Sequence, residues 1–258
     1  MSNNSHYWVG KHARAETAKE HVTDMSNRYS KEIDYSASNT IVYDSIKSTV
    51  GSAEYEIELV PLDSVSAVLQ TTGKTCVLNF ASYKYPGGMY LQGSKAQEEC
   101  LCHESTLYNV LVSQSSYYEY NNQNLNRALY QNRALYSPNI IFERDGVTKT
   151  ADVITCAAPN YSTASYYYNV DKKTNSKHLR SRIRFILSCL SDKDLDTIVL
   201  GAFGCGVFGQ DPTEVASIFI EEIKNVFHSN RKTKFVFAII DANSDNYQLF
   251  SKVIRREN

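Results

Sequence analysis

No segment of this chain approaches the roughly 20 consecutive apolar residues that a membrane span requires. The polar N-terminus also lacks the apolar core of a signal peptide. Both absences point to an intracellular, cytoplasmic protein without a membrane partner. Charge of one sign is missing too: 27 Lys and Arg against 28 Asp and Glu leave a net charge of −1. No global basic field therefore favours nucleic acid. The six cysteines, at 76, 100, 102, 156, 189 and 205, are too scattered for a disulfide framework. Cys76, Cys156 and Cys189 sit in apolar runs, where a free thiol behaves as a small hydrophobe. Cys100, Cys102 and His103 lack a second ligand cluster, and neighbours on one helix diverge, so neither metal nor cofactor is expected. No Pro- or Ser-rich linker divides the chain. With 42% hydrophobic and 21% charged residues it can bury a core, and residues 1–258 are expected to form one domain.

Residues 1–10 read as loosely attached, and Lys11 to Tyr29 as a helix, together an N-terminal extension over 1–30. Short alternating runs between Ile41 and Val60 read as strands, and Cys76–Ala81 as a short buried strand. Ser94 with Gln97 forms a capping-box pattern, predicting a helix through about Val112. Residues 113–136 are rich in Tyr, Asn and Gln and contain a tandem repeat, Asn126-Arg-Ala-Leu-Tyr130 and Asn132-Arg-Ala-Leu-Tyr136. Too short for a solenoid, this stretch reads as a surface insertion. Downstream, strands (Val153–Ala157, Thr197–Ala202, Phe235–Ile240) alternate with amphipathic helices (Ser176–Leu190, Asp211–Phe227). Strands apolar at every position are buried on both faces, which predicts an α/β chain with a three-layer α/β/α sandwich around a mixed, largely parallel sheet.

Two loops carry the chemistry. The first runs from Asn79 through Gly87, Gly88 and Gly93 to the adjacent carboxylates Glu98 and Glu99 at the start of a helix. Acidic residues in a first helical turn are often only structural. The glycines just upstream, however, imply close backbone approach to a ligand. The second loop, Gly201 to Pro212, has four glycines in nine residues and precedes a helix. Its N–H groups can converge on an anion, with phosphate or diphosphate as the guest and a ligand-free strand–helix turn as the alternative. Both loops follow apolar strands, so in a parallel sheet they meet at one edge, where α/β proteins bind ligands.

The segment Asn79-Phe-Ala-Ser…Pro86-Gly-Gly…Gln97-Glu-Glu, followed by Thr106-Leu-Tyr108, resembles the signature of microbial-type poly(ADP-ribose) glycohydrolases, a branch of the macrodomain superfamily. Its hallmark is three glycines, a short spacer and Gln-Glu-Glu; here Gly87, Gly88 and Met89 precede a seven-residue spacer. The resemblance continues through Tyr136-Ser-Pro138, Val153–Asn160 and Leu200–Gly209. It implies a macrodomain-like fold and an ADP-ribose pocket. Glu99 matches the catalytic acid, and Glu98 the residue that holds ribose hydroxyls. Gly87 and Gly88 would approach the terminal ribose, with Gln97 part of the same motif. Gly204, Cys205, Gly206 and Val207 would cradle the diphosphate, Phe208 would pack on a ribose, and Asn79 would border the pocket. Two positions depart from the pattern. Met89 replaces the third glycine, where a positive φ would cost on the order of 1 kcal/mol, and Ser82 stands where many macrodomains carry an asparagine. Either change could narrow the substrate range or leave a binder without turnover.

The implied partners are ADP-ribose, poly(ADP-ribose) or ADP-ribosylated proteins, bound by a monomer. The implied reaction is hydrolysis of a ribosyl bond, with Glu99 as general acid. A helix N-terminus favours the ionised carboxylate, whereas burial and neighbouring negative charge favour the protonated one. The acid is thus expected to be competent mainly with substrate bound. The alternative is a reader that binds ADP-ribose without cleaving it. A third reading is a nucleic-acid-binding insertion, with Tyr117, Tyr118, Tyr120, Tyr130 and Tyr136 as stacking groups. Asp44 is the sequence candidate for an adenine contact.

Overall fold

Strands that are apolar throughout need cover on both faces. The computed structural model, which describes residues 10–45, 53–191 and 193–257, supplies it. Strands β1 (Ile41–Tyr43), β2 (Tyr55–Val60), β3 (Thr75–Phe80), β4 (Ala134–Arg144), β5 (Val147–Cys156), β6 (Thr197–Leu200) and β7 (Thr233–Ala238) form one sheet of order β1-β4-β5-β3-β6-β7-β2. The run β5-β3-β6-β7-β2 is parallel, and β4 and β1 join antiparallel at one edge. The helices are α1 (Lys11–Arg28), α2 (Ser30–Ser38), α3 (Ser64–Gln70), α4 (Gln97–His103), α5 (Leu107–Leu111), α6 (Ser115–Gln123), α7 (Tyr161–Tyr168), α8 (Lys172–Leu190), α9 (Pro212–Val226) and α10 (Asp245–Glu257).

The period-2 alternation of strand side chains divides the core between two layers. Leu78, Ile154, Ile198 and Phe235 pack with the buried faces of α8, α9 and α10. Val77, Val153 and Val199 point the other way and pack with α1, α3, α4 and α5. The expected sandwich is present. By the same alternation Asn79, two residues beyond Val77, faces the α4 side at the carboxyl end of β3.

The helix expected over 11–29 is α1, and α2 follows it. The expectation of a loosely attached segment over 1–10 lies, Gly10 apart, outside the described residues. Helix α1 packs on the first glycine loop: Arg14 Nε donates to the Gly93 carbonyl at 2.8 Å. Gly93, at φ 75°, admits no side chain, since a Cβ there would lie 2.0 Å from the Lys11 carbonyl oxygen.

Two expectations are corrected. The helix from Ser94 to Val112 is two helices, because residues 104–106 leave the helical path to bond β4. Thr106 N–H donates to Ile141 O at 3.0 Å, and Glu143 N–H to Glu104 O at 2.9 Å. The 113–136 segment is also no surface insertion. Tyr117, Tyr118, Asn121, Leu129, Tyr130 and Tyr136 are buried, and the second repeat, from Ala134 on, enters β4. Polar composition misleads here because Asn side chains are spent on backbone carbonyls: buried Asn121 Nδ2 donates to Tyr83 O at 2.9 Å, and exposed Asn122 Nδ2 to Lys84 O at 3.0 Å. The segment thereby braces the turn that follows β3.

Candidate active site

The strand order brings β3 and β6 side by side and parallel, so the loops leaving their carboxyl ends are neighbours, as the sequence implied. In the first loop the chain turns through Gly87 (φ 66°) and Gly88 (φ 57°). These left-handed angles suit glycine, and packing adds a second reason. A Cβ on Gly88 would lie 2.6 Å from Glu99 Oε1 and 3.0 Å from Glu98 Oε2, and one on Gly87 would meet the Tyr108 ring at 2.6 Å. The turn is drawn tight against the carboxylate pair. Met89 sits at φ −107° and ψ 31°, outside the left-handed region, so the expected backbone penalty does not arise. Its side chain is half exposed, and its N–H donates to Glu99 Oε1 at 2.9 Å.

Both carboxylates are buried. Glu98 is clamped at both oxygens: Asn79 Nδ2 donates to Oε1 at 3.1 Å, and Ser82 N–H to Oε2 at 2.7 Å. Burial pushes the Glu98 carboxyl up to about 8, with the neighbouring Glu99 charge adding to the rise. The bonds from Ser82 and Asn79 pull the other way without overcoming it. Glu99 is held at one oxygen only; its Oε2 is buried and has no hydrogen-bond partner among the described residues.

The helix that carries the pair is seated by Gln97. Its Oε1 accepts from Phe80 N–H at 2.8 Å, and its Nε2 donates to Leu78 O at 2.9 Å and to Ser64 Oγ at 3.1 Å. This corrects the capping-box expectation. The N-cap is Ala96, with no side-chain cap, because Gln97 reaches across to β3 instead of back to Ser94. Ser82 turns its hydroxyl on its own loop, accepting from Lys84 N–H at 3.3 Å and Tyr85 N–H at 3.2 Å.

The second loop is anchored from within. Cys205 N–H donates to Ala202 O at 3.1 Å, Gly209 N–H to Gly206 O at 3.0 Å, and Gln210 N–H to Gly204 O at 3.0 Å. The N–H groups of Gly206, Val207 and Phe208 are not engaged by these bonds. Gly206 has nothing within 4 Å of a would-be Cβ, and Val207 is 85% exposed. The Cys205 thiol is pushed up to about 12 by burial and contributes no anion. Phe208 is half buried against Tyr130, with ring centroids 6.3 Å apart; Tyr130 in turn stacks on Tyr83 at 4.1 Å. Asp211 then caps α9, accepting from Thr213 and Glu214 N–H.

Between the loops lies a cleft of about 650 Å³. Phe80, Gln97, Gly204, Gly206, Val207 and Phe208 line it, and Val65, Ala238, Ile239 and Ile240 add an apolar wall. Glu98 and Glu99 are not in its lining. They follow directly on Gln97, which is in the lining. This apolar wall was missed in the sequence. Among the polar residues of the lining, Asp63 after β2 caps α3 and pairs with Arg144 at 2.8 Å. Asp44 follows β1, at the sheet edge opposite β2 and β7, and does not line the cleft. Cys100, Cys102 and His103 do not come together as a metal-binding group, and no such group of His, Cys, Asp or Glu occurs among the described residues.

A parallel-rich sheet between two helical layers, with two glycine loops meeting at adjacent strand ends, defines a macrodomain-like protein. A family model described as microbial-type PARG (poly(ADP-ribose) glycohydrolase), catalytic domain, matches residues 12–145, and the chain belongs to that family. The matched range contains the first loop and both carboxylates; the Gly204–Phe208 loop lies beyond it. Among solved structures, the Thermomonospora curvata poly(ADP-ribose) glycohydrolase bound to the inhibitor ADP-HPD is similar over 95% of this chain and 99% of its own, at TM-score 0.79 and 24% identity. The Deinococcus radiodurans enzyme in complex with ADP-ribose is similar over 87% of this chain and 97% of its own, at TM-score 0.76 and 28% identity. No curated protein sequence matches the chain. Among the described residues no helix is long and apolar enough to cross a membrane.

Proposed function

We propose that this protein is an ADP-ribosyl glycohydrolase, acting as one catalytic domain, that hydrolyses the ribose glycosidic bond of poly(ADP-ribose) or of protein-linked ADP-ribose. The observation that carries the proposal is the half-held carboxylate of Glu99: Oε1 is fixed by Met89 N–H, while Oε2 is buried without a partner. A buried polar atom left unpaired costs on the order of 1–3 kcal/mol, and a substrate group bonded there would recover it.

In this reading the diphosphate lies on the N–H groups of Gly206, Val207 and Phe208, near the N-terminus of α9. The adenosine end occupies the apolar wall of Val65, Ala238, Ile239 and Ile240. The terminal ribose then reaches the Gly87–Gly88 turn. Glu98, gripped by Asn79 and Ser82, presents its remaining lone pairs to ribose hydroxyls. Glu99 donates its proton to the leaving glycosidic oxygen as the bond from the ribose anomeric carbon breaks. Water adds to that carbon, and its released proton returns to Glu99.

Met89 is the residue that raised the reader alternative. Its ordinary backbone angles and the use of its N–H rather than its side chain favour the enzyme. Glu99→Gln, assayed beside the wild type on poly- and mono-ADP-ribosylated protein, tests the reading. A fall of at least a hundredfold in ADP-ribose release from polymer, with ADP-ribose affinity kept, is expected. Undiminished release would overturn the assignment of Glu99. Loss on polymer with retained release from a carboxylate ester would identify the ester as a substrate needing no acid.

A further inference from the structure

We propose that the exposed tyrosines of α7, with the lysines that open α8, form a docking surface for the next unit of an ADP-ribose polymer whose terminal unit occupies the cleft. The inference rests on the reading of the cleft as an ADP-ribose site and extends it to the part of the substrate that lies outside.

Three consecutive aromatics on α7 face solvent: Tyr166 is 78% exposed, Tyr167 71% and Tyr168 45%. They are not spent on the fold, since Ala164 is the buried residue of this helix. Tyr166 and Tyr167 stand edge to face, with centroids 4.7 Å apart and planes at 78°, so two ring faces of different orientation are offered together. Exposed aromatics with nearby cations are the equipment for a flexible strand of bases and phosphates: rings take the bases and cations follow the backbone. The cations are present. Lys172, Lys173 and Lys177 are exposed at the start of α8. Exposed Arg127 belongs to the segment at the foot of α7, because its neighbour Ala128 accepts the Asn160 N–H there. The nearest carboxylates, Asp171 and Asp211, are committed as helix caps, and Lys172 Nζ lies 3.7 Å from Asp211 Oδ2.

Continuity with the cleft selects the occupant. Ser162, in the first turn of α7, donates its N–H to the Phe208 carbonyl at 3.1 Å. A Cβ on Gly209 would lie 2.3 Å from Ser162 Oγ. The aromatic helix is thus packed directly on the loop read as the diphosphate cradle. A chain anchored in the cleft is delivered to α7 at high effective concentration, whereas an unanchored single-stranded nucleic acid gains nothing from that adjacency. Each polymer unit carries one purine and two phosphates, which matches aromatic faces set beside a few lysines. The stacking tyrosines sought in the 113–136 segment are for the most part buried, and this function falls to α7 instead.

The test compares the wild type with Tyr166→Ala/Tyr167→Ala in the full chain. We expect KM for long poly(ADP-ribose) to rise about tenfold. The Kd of free ADP-ribose by calorimetry and kcat should be unchanged, which also certifies the fold. Lys172→Gln/Lys173→Gln should flatten the salt dependence of the polymer KM. An unchanged polymer KM in the tyrosine variant overturns the proposal. So does single-stranded RNA competing with polymer on the wild type as well as free polymer does, because the surface would then bind strands regardless of the cleft. Failure of the wild type to bind ADP-ribose would instead remove the parent reading of the cleft, and the docking inference with it.

Discussion

Met89 occupies the third position of a motif whose first two residues, Gly87 and Gly88, adopt left-handed angles. At φ −107° it has no such need, so a side chain is tolerated, and this one leans half into solvent. Its functional atom is the N–H that fixes Glu99, which any residue other than proline supplies. Met89→Gly should therefore leave kcat within about twofold. It should lower stability by up to about 1 kcal/mol, by loosening the unfolded chain. Melting temperature and initial rates on polymer check both, and a many-fold rise in rate would show that the methionine side chain obstructs the site. Sequence spacing picked out Glu98 and Glu99, which the fold buries next to Gln97 of the cleft lining. It could not foretell that one is clamped at both oxygens and the other at one, because the clamps come from Asn79, Ser82 and Met89 at separations of 10 to 19 residues.

At the scale of elements, α4 is only seven residues long and would be marginal alone. Its pose comes from Gln97, which copies a strand's donor–acceptor pattern onto the end of β3 through Phe80 N–H and Leu78 O. Gln97→Leu should leave both groups unpaired at a cost of about 3 kcal/mol. On the proposed function it should also lower kcat more than it weakens ADP-ribose binding, because the carboxylates shift while the Gly204–Phe208 loop stays. Thermal unfolding with kcat and calorimetric Kd measures this split; a purely structural effect would move stability alone. This element also shows why local pattern failed. Ser94 and Gln97 have capping-box spacing, yet the competing partner for Gln97 was a strand 17 residues away, invisible to a window of four. Likewise the Tyr- and Asn-rich 113–136 segment looked like surface because Asn121 and Asn122 find their partners in the turn at 82–85, some 38 residues away.

For the whole molecule, burying the carboxylate pair makes folding stability depend on pH. Glu98 rises from an ordinary value of 4.5 to about 8. The folded state therefore binds a proton that the unfolded chain has lost between these limits. Stability contributed by this group is fully present below about 4.5, falls as pH rises, and is exhausted above about 8. Glu98→Gln should remove that slope. The difference in melting temperature between variant and wild type should be flat below pH 4.5 and move in favour of the variant up to about pH 8. A difference that stays constant from pH 5 to pH 8 would show that Glu98 is ionised throughout. The same architecture ties distant parts to the site. Arg182 of α8, fully buried, bonds Asn132 Oδ1 at 2.8 Å and the carbonyls of Ala157 and Leu129. It thereby holds the segment carrying Tyr130 against Phe208 of the second loop.

By itself the sequence determined the alternation of strands and helices and the burial of the sheet on both faces. It also determined the two glycine loops and the adjacent carboxylates, since apolar periodicity and glycine placement are local properties of the chain. Long-range packing settled which Glu99 oxygen lacks a partner, why Met89 is tolerated, where the apolar wall of the cleft lies, and which tyrosines are exposed. These depend on β3 lying beside β6, on helix α1 packing over the first loop and on the 113–136 segment folding inward. All are contacts between residues far apart in the chain, whose partners no short stretch of sequence specifies.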